Sequence, residues 1–83
     1  MRIGLCDDDK YWLERAEQIL KKYAMHQNVS IELASFMNID KMELCMDENE
    51  FDMVFLDIEM EGERTGIDFA RRINRKFPAC KIV

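Results

Sequence analysis

The feature that most constrains this chain is Met53-Val54-Phe55-Leu56, an unbroken apolar run that ends on the carboxylate of Asp57. A strand with one wet face alternates apolar and polar residues; a run apolar on both faces predicts a strand covered on both sides, as in a parallel sheet. Four residues suit a strand and are too few for a helix, and Val and Phe favour the pleated chain. Asp57 then stands where the strand leaves the sheet. In open α/β sheets, ligands bind outside the carboxyl ends of the strands, although a strand-ending Asp can equally serve as a solvated cap.

The rest of the chain supplies the partners that such a strand needs. Arg2-Ile3-Gly4-Leu5-Cys6 reads as a short apolar strand that runs straight into Asp7-Asp8-Asp9. Three adjacent carboxylates repel one another, so they face water or a cation. Asp9 has an immediate structural use as the N-cap of a helix from Lys10 to about Met25. Leu13, Ala16, Leu20 and Ala24 form the apolar stripe of that helix, broadened into the core by Trp12, Ile19 and Tyr23. After the polar connection His26-Gln27-Asn28, Val29 to Phe36 alternates and predicts a second strand, near an edge because one face tolerates Glu32.

Asn38 or Asp40 can cap a second helix through about Asp47, with Ile39, Met42, Cys45 and Met46 at helical spacing. An acidic turn, Asp47-Glu48-Asn49-Glu50, leads as a solvated segment into the central strand. Thr65-Gly66-Ile67-Asp68 fits a capping box for a third helix with Ile67, Ala70, Ile73 and Phe77 inward and Pro78 just past its end. Arg71, Arg72, Arg75 and Lys76 fall on the solvated face of that helix. Lys81-Ile82-Val83 begins a fourth strand.

Strand and helix alternate throughout, which predicts an α/β fold: a parallel sheet with helices on both faces. If the sheet changes direction after the first strand, strands one and three become neighbours, about 4.8 Å apart. Asp7 and Asp8 then meet Asp57. Convergent carboxylates of this kind call for a hard cation, and oxygen-only ligands point to magnesium.

Composition narrows the function classes. Eighty-three residues allow one small domain, and 48% hydrophobic with 35% charged residues is globular rather than disordered. A net charge of −5 disfavours non-specific binding to nucleic acid or anionic membranes. No apolar run approaches membrane-spanning length and Met1-Arg2-Ile3 begins no signal peptide, so a cytoplasmic setting is expected. Cys6, Cys45 and Cys80 lack metal-ligand spacing and read as reduced, mostly buried residues. His26 is the single histidine, which excludes a His-rich metal site.

Together, Ile3-Gly4-Leu5-Cys6-Asp7-Asp8-Asp9, Phe55-Leu56-Asp57-Ile58-Glu59-Met60 and Gly66-Ile67-Asp68 resemble the receiver domain of bacterial two-component response regulators, most nearly the LytTR-type (AgrA/LytR-like) transcription regulators. The resemblance covers essentially the whole chain and implies a flavodoxin-like open sheet of order 2-1-3-4, incomplete at the C-terminus. It implies Asp57 as phosphoacceptor from a sensor histidine kinase. It further implies Mg2+ (or Mn2+) bound by Asp8, Asp57 and the backbone carbonyl of Glu59, with Asp7 acting through water. Residues 1–83 are then the N-terminal portion of a receiver, and DNA is reached only through an effector domain outside them.

This sequence departs from the family in having Glu61 where Pro often follows the Met, and a loop after Met60 one residue longer. The switch Ser/Thr and the Lys that the family places after its fourth and fifth strands have no counterpart in residues 1–83. Self-association through the incomplete sheet is therefore expected. Two other readings stand beside the leading one. The first is a receiver-like interaction or dimerisation piece that takes no phosphate. The second is a fragment of a haloacid-dehalogenase-type phosphatase, suggested by Asp7-x-Asp9, although Tyr11 stands where that motif wants Thr or Val.

Overall fold

The computed structural model describes residues 1–57 and 66–83. Its elements run β1 (Arg2–Cys6), α1 (Lys10–His26), β2 (Glu32–Phe36), α2 (Ile39–Glu48), β3 (Met53–Leu56), α3 (Gly66–Lys76) and β4 (Lys81–Ile82). The four strands form one parallel sheet in the order β2-β1-β3-β4. This is the α/β, flavodoxin-like order expected, with the apolar run Met53–Leu56 as an inner strand and β2 at an edge.

Period-two alternation along β1 divides the core. Ile3 and Leu5 pack with Leu13 of α1 on one face, while Cys6 packs with Met42 and Met46 of α2 and Phe69 and Ile73 of α3 on the other. The second cluster is the larger, because two helices cover that face. Gly4 sits there too: a Cβ at this position would lie 3.2 Å from the Phe51 ring and 3.4 Å from Val54 Cγ2, so the bare backbone makes room for Phe51.

Each helix end has a local cause. Asp9 caps α1 and Asn38 caps α2, each accepting from backbone N–H groups of the first turn. At the end of α1, Asn28 takes φ 55°, and Val29 N–H reaches back to Ala24 O at 2.9 Å. That is a Schellman closure with Asn in the left-handed position. The second strand consequently begins at Glu32 rather than Val29, since the chain is still leaving the helix at Asn28.

Several expectations about the core are corrected. Trp12, Ile19 and Tyr23 are exposed, because the sheet covers only the Leu13/Ala24 side of α1. In α3 the buried pair is Phe69 and Ile73, whereas Ile67 is exposed; the inward face is rotated by two residues at its start. The proposed cap Thr65 lies outside the described residues. Asp47 and Glu48 belong to the last turn of α2 rather than to a turn. Arg72 and Lys76 face α2, where they pair with Glu43 and Asp47. All three cysteines are thiols outside any disulfide, with Cys6 and Cys80 buried and Cys45 half-buried.

Candidate metal and phosphoacceptor site

The site is built by extending two strand ladders one residue past the sheet. Cys6 pairs with Leu56 in the β1–β3 register, and Asp57 N–H then donates to Cys6 O at 3.1 Å. On the other side of β1, Asp7 N–H donates to Phe36 O at 3.1 Å. Both backbones are thus pinned, and the parallel register sets Asp7 directly beside Asp57. Asp8, the next residue, turns out to solvent. One carboxylate oxygen from each of Asp7, Asp8 and Asp57 lies within 4.8 Å of the others.

The electrostatics follow from that crowding. Asp7 has its carboxyl pushed above the ordinary carboxylate range, chiefly by partial burial. The charges of Asp57, Asp8 and Asp9 push it the same way, against the Asp9 backbone N–H, which favours the anion. Behind the cluster the Cys6 thiol is pushed up to about 12, first by burial and then by Asp7, Asp57 and Asp8. A thiol so held is a core residue and no nucleophile.

A cation fits here. The donors are all oxygens, they converge at coordination scale, and positive charge between them would offset the mutual repulsion of the three carboxylates. Of the expected ligand set, Asp7, Asp8 and Asp57 are brought together, and Glu59 lies outside the described residues. Asp9 does not join them as a dehalogenase-type second carboxylate would: its Oδ1 accepts from Tyr11 and Trp12 N–H in the helix cap.

The cluster forms one end of a groove of about 690 Å³ that runs between α1 and the sheet. Leu5, Leu13, Phe55 and Val83 give it an apolar wall, and Trp12 and Ile19 stand on its rim. Sequence reading placed Trp12 in the core, whereas the structure leaves it on the rim of this open face. The signal was available in the odd-numbered positions of β1 and β3, which point to the side that α1 alone covers.

Comparison with known proteins agrees with this geometry. Residues 3–83 match the family model of the response regulator receiver domain. The chain is 32% identical over 85 residues to accessory gene regulator protein A of Staphylococcus epidermidis, covering 100% of this chain and 36% of that protein. Among solved structures it is similar to the response regulator TrrA of Thermotoga maritima in complex with Mg2+–BeF. The TM-score is 0.82 at 27% identity, over 98% of this chain and 64% of that one. The same TrrA in complex with the histidine kinase ThkA matches with a TM-score of 0.67 at 28% identity, over 98% of this chain and 64% of that one.

Proposed function

The chain belongs to the response regulator receiver domain family, and from that premise we propose that Asp57 is a phosphoacceptor served by a sensor histidine kinase. Mg2+ (or Mn2+) is held between Asp8, Asp57 and the Glu59 backbone carbonyl, with Asp7 acting through water. The observation that carries this reading is the meeting of Asp7, Asp8 and Asp57 within 4.8 Å at the carboxyl end of the sheet. The Mg2+–BeF complex of TrrA and its complex with ThkA support it by similarity.

The chemistry assigns each residue a task. An Asp57 oxygen attacks phosphorus and forms the acyl-phosphate O–P bond as the N–P bond of a phosphohistidine breaks. The departing imidazole keeps the electron pair and is protonated. Asp57 N–H, fixed on Cys6 O, limits how far the carboxylate can swing, so attack is aimed rather than searched for. Unaided, Asp7 and Asp8 would repel the incoming phosphoryl oxygens; a divalent cation supplies the neutralising charge. Asp7 already accepts a hydrogen bond from Asp9 N–H, which suits an indirect role.

Acetyl phosphate with Mg2+ tests the reading directly. Intact mass should show one phosphoryl adduct that does not form when EDTA is present from the start and is absent in Asp57→Asn; an adduct that persists in that variant would place the acceptor elsewhere.

Residues 1–83 act, in this proposal, as the N-terminal portion of a receiver in the cytoplasm. They signal to an effector domain that contacts DNA and controls transcription, and they are a signalling module rather than an enzyme. No helix among the described residues is long and apolar enough to cross a membrane. Self-association is a second reading, and the apolar wall of Leu5, Leu13, Phe55 and Val83 favours it. Light scattering over a concentration series checks it: the mass should rise with concentration, and a constant monomer mass would refute it.

A further inference from the structure

Asp9 stands next to the acidic cluster yet directs its carboxylate away from it, and two sets of hydrogen bonds show what it does instead. Its Oδ1 accepts from Tyr11 N–H at 3.0 Å and Trp12 N–H at 3.4 Å, closing the first turn of α1. Its own backbone N–H donates to Asp7 Oδ1 at 2.9 Å. The residue is extended, at φ −97° and ψ 107°, as an N-cap requires. The direction of the Asp9 N–H therefore depends on the cap, and the orientation of the Asp7 carboxylate depends on that N–H.

We infer that Asp9 is a positioning residue: by capping α1 it holds the backbone N–H that orients Asp7 toward the cation site formed with Asp8 and Asp57. This inference rests on the cation-binding reading above and adds a residue to it.

A second effect acts the same way. The N-terminus of α1 opens at the cluster, and its free N–H groups carry partial positive charge that disfavours a cation nearby. Asp9 Oδ1 takes up two of those groups, so the helix end opposes the site less. Asp9 thus helps by where its dipoles and hydrogen bonds go, without lending an oxygen to the cation.

The test separates the cap from the charge. Asp9→Ser keeps an acceptor in the cap and loses the charge. Asp9→Gly loses both, yet Gly is among the residues tolerated at an N-cap, so the helix start should survive. Binding of Mn2+ alone is followed by the paramagnetic resonance of the free ion, which is independent of Trp12. Asp9→Gly should bind Mn2+ about tenfold more weakly than Asp9→Ser, the scale seen when a group that orients a metal ligand is removed. In an Asp7→Ala background the gap between the two variants should shrink, because no carboxylate remains to be oriented and only the helix-end effect is left.

Equal affinity of the Ser and Gly variants on the wild-type background would overturn the assignment. A difference of undiminished size without Asp7 would overturn it too, because the cap would then act on the cation through the helix end alone. If the wild-type protein itself leaves the Mn2+ signal unchanged, the cation-site reading fails first, and that outcome is distinct from the other two.

Discussion

Arg72 Nε lies 2.7 Å from Glu43 Oε2, tying α3 to α2 across the more heavily covered face of the sheet. Glu43 is 8% exposed, in company with Met42 and Met46, and Lys76 Nζ approaches the same oxygen at 3.9 Å while also reaching Asp47. Among the described residues Oε2 finds no hydrogen bond of good geometry, so the attraction is ionic rather than directional.

The two partners are unequal in exposure, and this predicts unequal costs. Glu43 is sheltered, whereas the Arg72 side chain is 43% exposed. Arg72→Met leaves a buried carboxylate with only the more distant Lys76 and should cost about 1–3 kcal/mol. Glu43→Gln releases cations that can turn to water and should cost less. Urea melts of both variants decide the order; a larger loss in Glu43→Gln would mean that losing the carboxylate charge costs more than leaving it without Arg72.

Asp7 carries a pH and metal prediction. Its carboxyl is raised in the folded state, so the folded chain holds the proton more tightly than the unfolded chain. The sign follows: Asp7 costs nothing below the ordinary carboxylate value, and its penalty grows as pH rises from there through the raised value. Metal-free Asp7→Asn should therefore melt higher than wild type at neutral pH, and the gap should close in mild acid. Mg2+ should raise the wild-type melting temperature more than that of the variant. A variant that melts lower at neutral pH would refute the penalty.

Gly4 predicts a packing cost. The added methyl of Gly4→Ala would meet the Phe51 ring at 3.2 Å, and Phe51 is itself buried against β1. Overpacking of this kind costs about 1–3 kcal/mol. Phe51→Leu in the same chain should recover part of it, which a double-mutant cycle would read as a favourable coupling. Strict additivity would show that the ring is not what the methyl meets.

Asn28 predicts a gain and a loss. Its φ of 55° is unfavourable for most side chains, tolerable for Asn and free for Gly. Asn28→Gly should raise the melting temperature, and Asn28→Ala should cost roughly 1 kcal/mol. Similar melting of all three would mean that the Schellman turn opens in solution.

Local rules carry far in this chain. The double-faced apolar run Met53–Leu56, the strand before Asp7 and the helical stripes between them sufficed for the element order and the parallel sheet. They also set Asp7 and Asp57 at the ends of their strands, because strand ends are set by where apolar runs stop, and those stops are written residue by residue; that the two strands are neighbours was implied by the family resemblance and is decided by the sheet order. The cap Asp9 was legible for the same reason, and Asn38 as one of two candidates with Asp40: a cap bonds within its own first turn.

What the sequence could not decide is which flank of each stripe finds cover. Trp12 and Leu13 differ by one position on α1, yet only Leu13 is buried, because burial depends on where the sheet lies beneath the helix. Phe69 displaced Ile67 from the core by the same rule. Arg72 and Lys76 read as solvated charges until α2 and α3 were placed side by side, and nothing in the linear order of residues laid Phe51 across Gly4. Periodicity sets the repeat of a segment, but its phase against a neighbour is a three-dimensional quantity, and only packing determines it.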